Sequence, residues 1–174
     1  MSIEQLKYPI GKYQKPDSLS AAERNALIER IKSVPSRVRE LLPHFNNATW
    51  QNTYREGSWT AIQVLHHMGD SHINAYVRLK LGMTEDTPVI KPYDENAWVQ
   101  LPDMTESPES TAALLEIIHR RLVILFSSLD EAGWSRRYFH PQSNQHFTLE
   151  QLLALYAWHG DHHLAHLKLA LESK

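Results

Sequence analysis

Cysteine is missing from all 174 positions of this chain. Without it there is no disulfide framework, no thiolate zinc site and no cysteine nucleophile, so any metal must be held by nitrogen or oxygen. Long apolar runs are missing as well. No stretch would span a bilayer, and the opening MSIEQLKYPIGKYQ has neither the basic start and apolar run nor the small-residue cleavage site of a secretory leader. A cytoplasmic protein without membrane contact is expected. Runs of like charge are absent too. Lys+Arg 18 against Asp+Glu 20 gives a formal net charge of -2, which offers no electrostatic footprint to nucleic acid or anionic lipid. There is no internal repeat and no low-complexity tract. What the chain does have is 42% hydrophobic residues, enough for the core of one compact domain over 1–174, and eleven histidines.

Hydrophobic spacing predicts an all-α protein. Residues 1–19, with Pro9, Gly11 and Pro16, read as an extended N-terminal arm. Ser20 and Glu23 match the S-x-x-E capping box, and Leu27, Ile28, Ile31, Val34, Val38, Leu41, Leu42 and Phe45 keep helical spacing to Asn46-Asn47, with a kink expected at Pro35. A second box, Thr60 with Gln63, opens a helix that ends near Gly82. Residues 83–107 hold Pro88, Pro92 and Pro102 with little periodicity and read as a long crossover. The third helix starts at Ser107 with Pro108 in its first turn and runs to about Gly133. RRYFH and QHFT around PQSN suggest a short β-hairpin. Thr148 and Gln151 open the fourth helix, which continues almost to the C-terminus. The expected architecture is a four-helix bundle with a long crossover between helices two and three, placing those two parallel and helices two and four antiparallel.

Seven of the histidines fall on two of these helices: His66, His67 and His72 on the second, His159, His162, His163 and His166 on the fourth. At about 100° per residue, His159, His163 and His166 share a sector of roughly 60° with Leu152, Leu155, Tyr156 and Ala170, while Glu150, Asp161 and Lys168 gather on the other side. The helix therefore turns histidines inward and charges outward. Several buried imidazoles without partners are costly, and a shared metal removes that cost. His159 and His163 have the i, i+4 spacing of metal-binding helices, as do His162 and His166. A third ligand is expected from the facing helix. Periodicity leaves His67 and His72 in competition there. His67 shares a polar stripe with Gln63, Asp70, Ser71, Asn74 and Arg78, whereas His72 falls among Leu65, Met68, Tyr76 and Leu79. The plainer reading of that stripe is solvated surface.

YPIGKY near the start, YREGSWT followed by AIQVLHHMGDSHINAYVRLKL, TEDTPVIKPYDENAW, and YAWHGDHHLAH together resemble the YfiT group of the DinB-like superfamily of metal-binding four-helix bundles. The resemblance spans nearly the whole chain, and its most specific part pairs HHMGDSH with WHGDHHLAH. It implies a three-histidine metal site made of His67, His159 and His163. It also implies zinc, with nickel as an alternative occupant, a cytoplasmic homodimer, and the activity of a metal-dependent hydrolase on a small-molecule substrate. Relatives in the wider superfamily use the same site for thiol S-transfer. Gly160-Asp161 departs from a commonly more histidine-rich run, at positions that are not ligands.

Three neutral histidines leave a coordination position open, as catalytic sites do. That position suits water activated for hydrolysis or a thiolate used in S-transfer. A fourth protein ligand, such as His66, His72 or His166, would instead mark a structural metal in a non-catalytic module. Asp70, one turn from His67, is a candidate general base against the plainer reading of an exposed carboxylate. Arg78 is a candidate anchor for an anionic group against a surface or ion-paired arginine. His162 and His166 are candidate proton carriers, and Tyr93 and Asp94 sit where a lid would be. Trp59, Trp98 and Trp158 are expected to pack rather than to bind substrate.

Overall fold

Residues 1–173 are described by the structure, a computed structural model. Local sequence sets where its helices begin. Ser2 with Gln5, Ser20 with Glu23, Thr60 with Gln63 and Thr148 with Gln151 each form a reciprocal capping box, which satisfies backbone N–H groups that a first turn leaves free. They open α1 (Ile3–Lys7), α2 (Ala21–Leu41), α3 (Ala61–Thr84) and, at the end of the chain, α7 (Leu149–Glu172). Between α3 and α7 come α4 (Glu95–Trp98), α5 (Pro108–Ser127), α6 (Glu131–Ser135) and the hairpin β1 (Arg137–His140) with β2 (Gln145–Thr148). The hairpin is antiparallel, pairing Tyr138 with Phe147.

The four long helices α2, α3, α5 and α7 form the bundle, in the cyclic order α2, α7, α3, α5. Residue pairs give their directions. Arg24 meets Glu150 and Val34 meets Gly160, so α2 and α7 run parallel. Arg78 meets Tyr156 and His67 meets His163, so α3 and α7 run antiparallel. His66 meets Thr111 and Tyr76 meets Arg121, so α3 and α5 run parallel, as the long crossover predicts. α2 and α7 can approach closely because residue 160 is glycine: a methyl group there would stand 2.7 Å from Val34 Cγ2.

The apolar core comes in two blocks. One holds Ile31, Leu79, Leu122, Phe126 and Leu152; the other holds Val34, Leu65, Met68, Leu115 and Leu164. On α7 the gap between the blocks falls at 158–163 and holds His159, His162 and His163; on α3 it falls at 69–72 and holds His72, with His66 and His67 on the turn before it. A polar layer thus crosses the bundle at mid-height. Among the described residues no helix is long and apolar enough to cross a membrane.

Several boundaries differ from expectation. The N-terminal segment is not wholly extended, because the Ser2–Gln5 box stabilises the short helix α1. Beyond it the chain lies antiparallel along α7: Trp158 Nε1 donates to the Gly11 carbonyl, Tyr13 Oη to the Gln151 carbonyl, and Gln151 Nε2 to the Pro16 carbonyl. α2 runs on through Pro35 and ends at Leu41, where a 3₁₀ turn over Leu42–His44 takes up Pro43. α5 stops at Ser127 rather than near Gly133, because Asp130 accepts from the Gly133 N–H and caps α6. Apolar spacing continues through Leu129 and hides that break. The charged side of α7 is not a free face, since Asp161 pairs with Arg30 and Arg37, and Glu150 with Arg24, all on α2.

Candidate metal centre

Antiparallel packing of α3 on α7 brings His67 opposite His159 and His163. Each of the three offers a ring nitrogen, and these nitrogens all lie within 4.8 Å of one another. His67 Nε2 stands 3.3 Å from His159 Nε2. The His163 ring centroid is 4.9 Å from that of His67 and 4.4 Å from that of His159. His67 and His163 are buried, while His159 is partly exposed and opens the cluster at its edge.

Burial favours the neutral rings. It lowers His67 to about 4 and holds His159 and His163 well below the ordinary histidine range, each buried imidazole also disfavouring charge on its neighbours. Neutral imidazoles are what a metal requires of its ligands. The donor set therefore fits a divalent transition ion: three nitrogens, uncharged at neutral pH, converging on one point.

Outer partners fix which nitrogen each ring turns inward. His166 Nε2–H donates to the Lys7 carbonyl at 3.3 Å, leaving its Nδ1 to accept from His163 Nδ1–H at 3.4 Å. His163 then keeps its Nε2 lone pair for the cluster. On the other side His159 Nδ1 pairs with His72 Nε2 at 3.2 Å, and His159 Nε2 stands beside His67 Nε2 and Ser71 Oγ. His72 is stacked at 4.6 Å on His119, whose Nδ1–H donates to the Ile31 carbonyl. His66 is engaged elsewhere, with Thr111 Oγ1 at 2.5 Å and the Glu106 carbonyl at 3.1 Å. His66 and His166 thus have both ring nitrogens engaged, whereas His72 spends Nε2 on His159 and keeps a buried Nδ1 without a partner.

The sequence pattern of the DinB superfamily matches residues 30–167. The chain belongs to that superfamily. Among its DinB relatives is "Putative metal-dependent hydrolase YfiT" of Bacillus subtilis, 39% identical over 168 residues that cover 96% of this chain and 94% of the relative. A similarly named protein of Bacillus licheniformis is 41% identical, with 95% of each chain covered. The solved structure of Bacillus subtilis YfiT, described as having "an unusual four-helix bundle topology", aligns with a TM-score of 0.93 over 95% of both chains. A mycothiol-dependent maleylpyruvate isomerase, at 20% identity, aligns with a TM-score of 0.66 over 83% of this chain and 60% of its own, which shows a common fold.

In this DinB chain the competition between His67 and His72 resolves into two layers, His67 in the cluster and His72 behind it. The polar stripe of α3 is not solvated surface. Gln63 donates to the Val99 carbonyl of the crossover, Ser71 lies against His159, and Arg78 donates to Tyr156 Oη at 3.2 Å. Asp70 stands apart from the three histidines. No side-chain hydrogen bond joins it to them, and burial together with the nearby Asp103 raises its carboxyl to about 6. His162 is packed between Trp158, at 4.3 Å, and Tyr8 of the N-terminal segment, at 6.1 Å. Trp59 packs on His67 at 4.7 Å and donates to Asn96 on α4. Trp98 packs on Tyr93 at 4.2 Å, and Asp94 caps α4. Sequence reasoning missed His119 and the Lys7 carbonyl, and it placed Ser71 on the stripe without its contact to His159. His119 had a signal, as the lone histidine between Leu115, Ile118 and Leu122 on an apolar face; a backbone carbonyl has none.

Proposed function

We propose that this protein is a metal-dependent hydrolase of small molecules, using His67, His159 and His163 to hold one divalent ion, zinc as first choice and nickel as second. One observation carries the reading: among the described residues the ring nitrogens of His67, His159 and His163 converge, and no fourth histidine or carboxylate joins them. A site of that kind keeps a position for water or substrate. The ion, when bound there, supplies Lewis acidity that lowers the pKa of water and polarises a carbonyl or phosphoryl oxygen. The chain's own part is to orient the ligands and restrict access. The His166–Lys7 pair holds the tautomer of His163 and His72 braces the His159 ring, while the crossover meets the polar stripe of α3 where Gln63 donates to the Val99 carbonyl. Asp70 is not assigned the role of base, because nothing connects its carboxylate to the cluster.

The same open position would also take a low-molecular-weight thiolate for S-transfer. A panel of ester, amide and phosphoester substrates, run beside thiol plus electrophile pairs on zinc-loaded and metal-free protein, separates the two. Zinc-dependent hydrolysis that needs no thiol is expected. Thiol-dependent turnover with no hydrolysis would overturn the proposal.

A further inference from the structure

We infer that Arg78 is the anion anchor of this site, receiving a carboxylate or phosphate group of the substrate, so that the protein acts on small acids rather than on neutral molecules. The inference rests on the proposed site for its second half, the position of the reacting bond.

Arg78 stands three turns beyond His67 on α3 and is only 9% exposed. A guanidinium carries five N–H donors and is always charged. Of these, NH1 donates to Tyr156 Oη at 3.2 Å, and Nε–H is buried with no partner. Among the described residues no carboxylate lies within ion-pair distance of it. Arg24, the other buried arginine, shows what this fold does with a structural guanidinium. It is held by Glu131 at 2.8 Å and Glu150 at 3.6 Å. Burying a cation without a counter-charge is strongly unfavourable, and a guanidinium is the side chain best shaped to receive a two-oxygen anion.

Three tyrosines, a histidine and a carboxylate surround Arg78. Tyr93, Tyr138 and Tyr156 all feel the charge of Arg78, which offsets part of the upward push that burial gives their phenols. His140 adds a buried Nδ1 with no partner. Glu95 on α4 senses Arg78 but lies beyond ion-pair reach, and its own carboxyl is raised by burial. Distance along the site sets the substrate's shape. The Tyr156 ring is 5.6 Å from the His159 ring while its hydroxyl touches Arg78. The anionic group thus sits across one tyrosine from the ligand histidines, a few bonds from the bond that is broken.

The test uses metal-free protein, so that no anion can bind through a metal. Isothermal titration calorimetry is run with inorganic phosphate, with propionate, and with neutral propionamide as control. Saturable binding of phosphate, propionate or both is expected, with none for propionamide; which anion binds identifies the group. Arg78→Gln is expected to weaken that binding at least about tenfold, and Arg78→Lys, which keeps charge but loses the two-pronged geometry, to fall between. Circular dichroism checks that both variants fold. Should Arg78→Gln fail to fold, the wild-type Arg78 Nε–H resonance is followed by ¹⁵N NMR, and a saturable shift with added anion is expected. No saturable anion binding to wild type, equal binding by folded Arg78→Gln, or an unmoved Nε–H resonance would each overturn the anchor. Because no turnover is measured, the anchor and the hydrolase reading can fail separately.

Discussion

Alanine at position 163 is expected to abolish stoichiometric zinc or nickel in purified protein, with affinity reduced on the order of a thousandfold or more. The size follows from the free energy of a tightly held zinc, roughly 10–16 kcal/mol, shared among few ligands. His163 is also the ring whose orientation is fixed by a hydrogen-bonded chain through His166 to the Lys7 carbonyl. Removing a ring that only orients a ligand costs less, about 10–100-fold. His72→Ala is accordingly expected to weaken metal binding while leaving a measurable site, since His72 touches the cluster only through His159 Nδ1. Plasma mass spectrometry of dialysed protein reads the first variant and chelator competition the second. Unchanged metal content in His163→Ala would remove that residue from the ligand set.

Acid should unfold the metal-free protein cooperatively near pH 5. Burial lowers His67, His119 and His162 to about 4 and His166 to about 3, whereas in the unfolded chain each titrates near 6.5. A depressed pKa means that the unfolded chain binds more protons throughout the interval between the two values. Stability is therefore fully present above pH 6.5 and is lost as pH falls through that interval. At pH 5 each such ring contributes a loss of about 2 kcal/mol, offset in part by Asp70, whose raised carboxyl favours the folded chain as pH falls, so that together they remove much of the stability of an ordinary domain. The transition should be steep, taking up three or more protons, as followed by far-ultraviolet circular dichroism. Bound zinc should shift it to lower pH, because the ion holds its ligands unprotonated. A metal-free protein that keeps its ellipticity at pH 4.5 would show that these rings are not buried neutral.

Much of the bundle was legible because capping boxes and the 3.6-residue period act locally. Thr60, Ser107 and Thr148 cap their helices where the sequence places them, and the hairpin follows its turn residues. What escaped is tertiary. The break at Ser127 lies inside continuous apolar spacing, and it is the Asp130 cap that decides it. Asp161 looked solvent-facing on a helical wheel, which cannot know that α2 brings Arg30 and Arg37 to meet it. The histidine pair on α7 was visible from spacing, and its inward face is confirmed by the burial of His163 and His166. Periodicity could not choose between His67 and His72, because both point into the bundle. His67 reaches the pair directly, and His72 reaches it through His159. Arg78 shows the opposite difficulty. A sequence shows that a cation is present but not whether any carboxylate folds back to meet it.

The proposed site is a metal held by three histidines with a position left open. X-ray absorption spectroscopy of the zinc-loaded wild-type protein tests it most directly. Three imidazole nitrogens at about 2.0–2.1 Å with one or two further oxygen scatterers from solvent are expected. Four imidazoles, or a shell of oxygens alone, would contradict it.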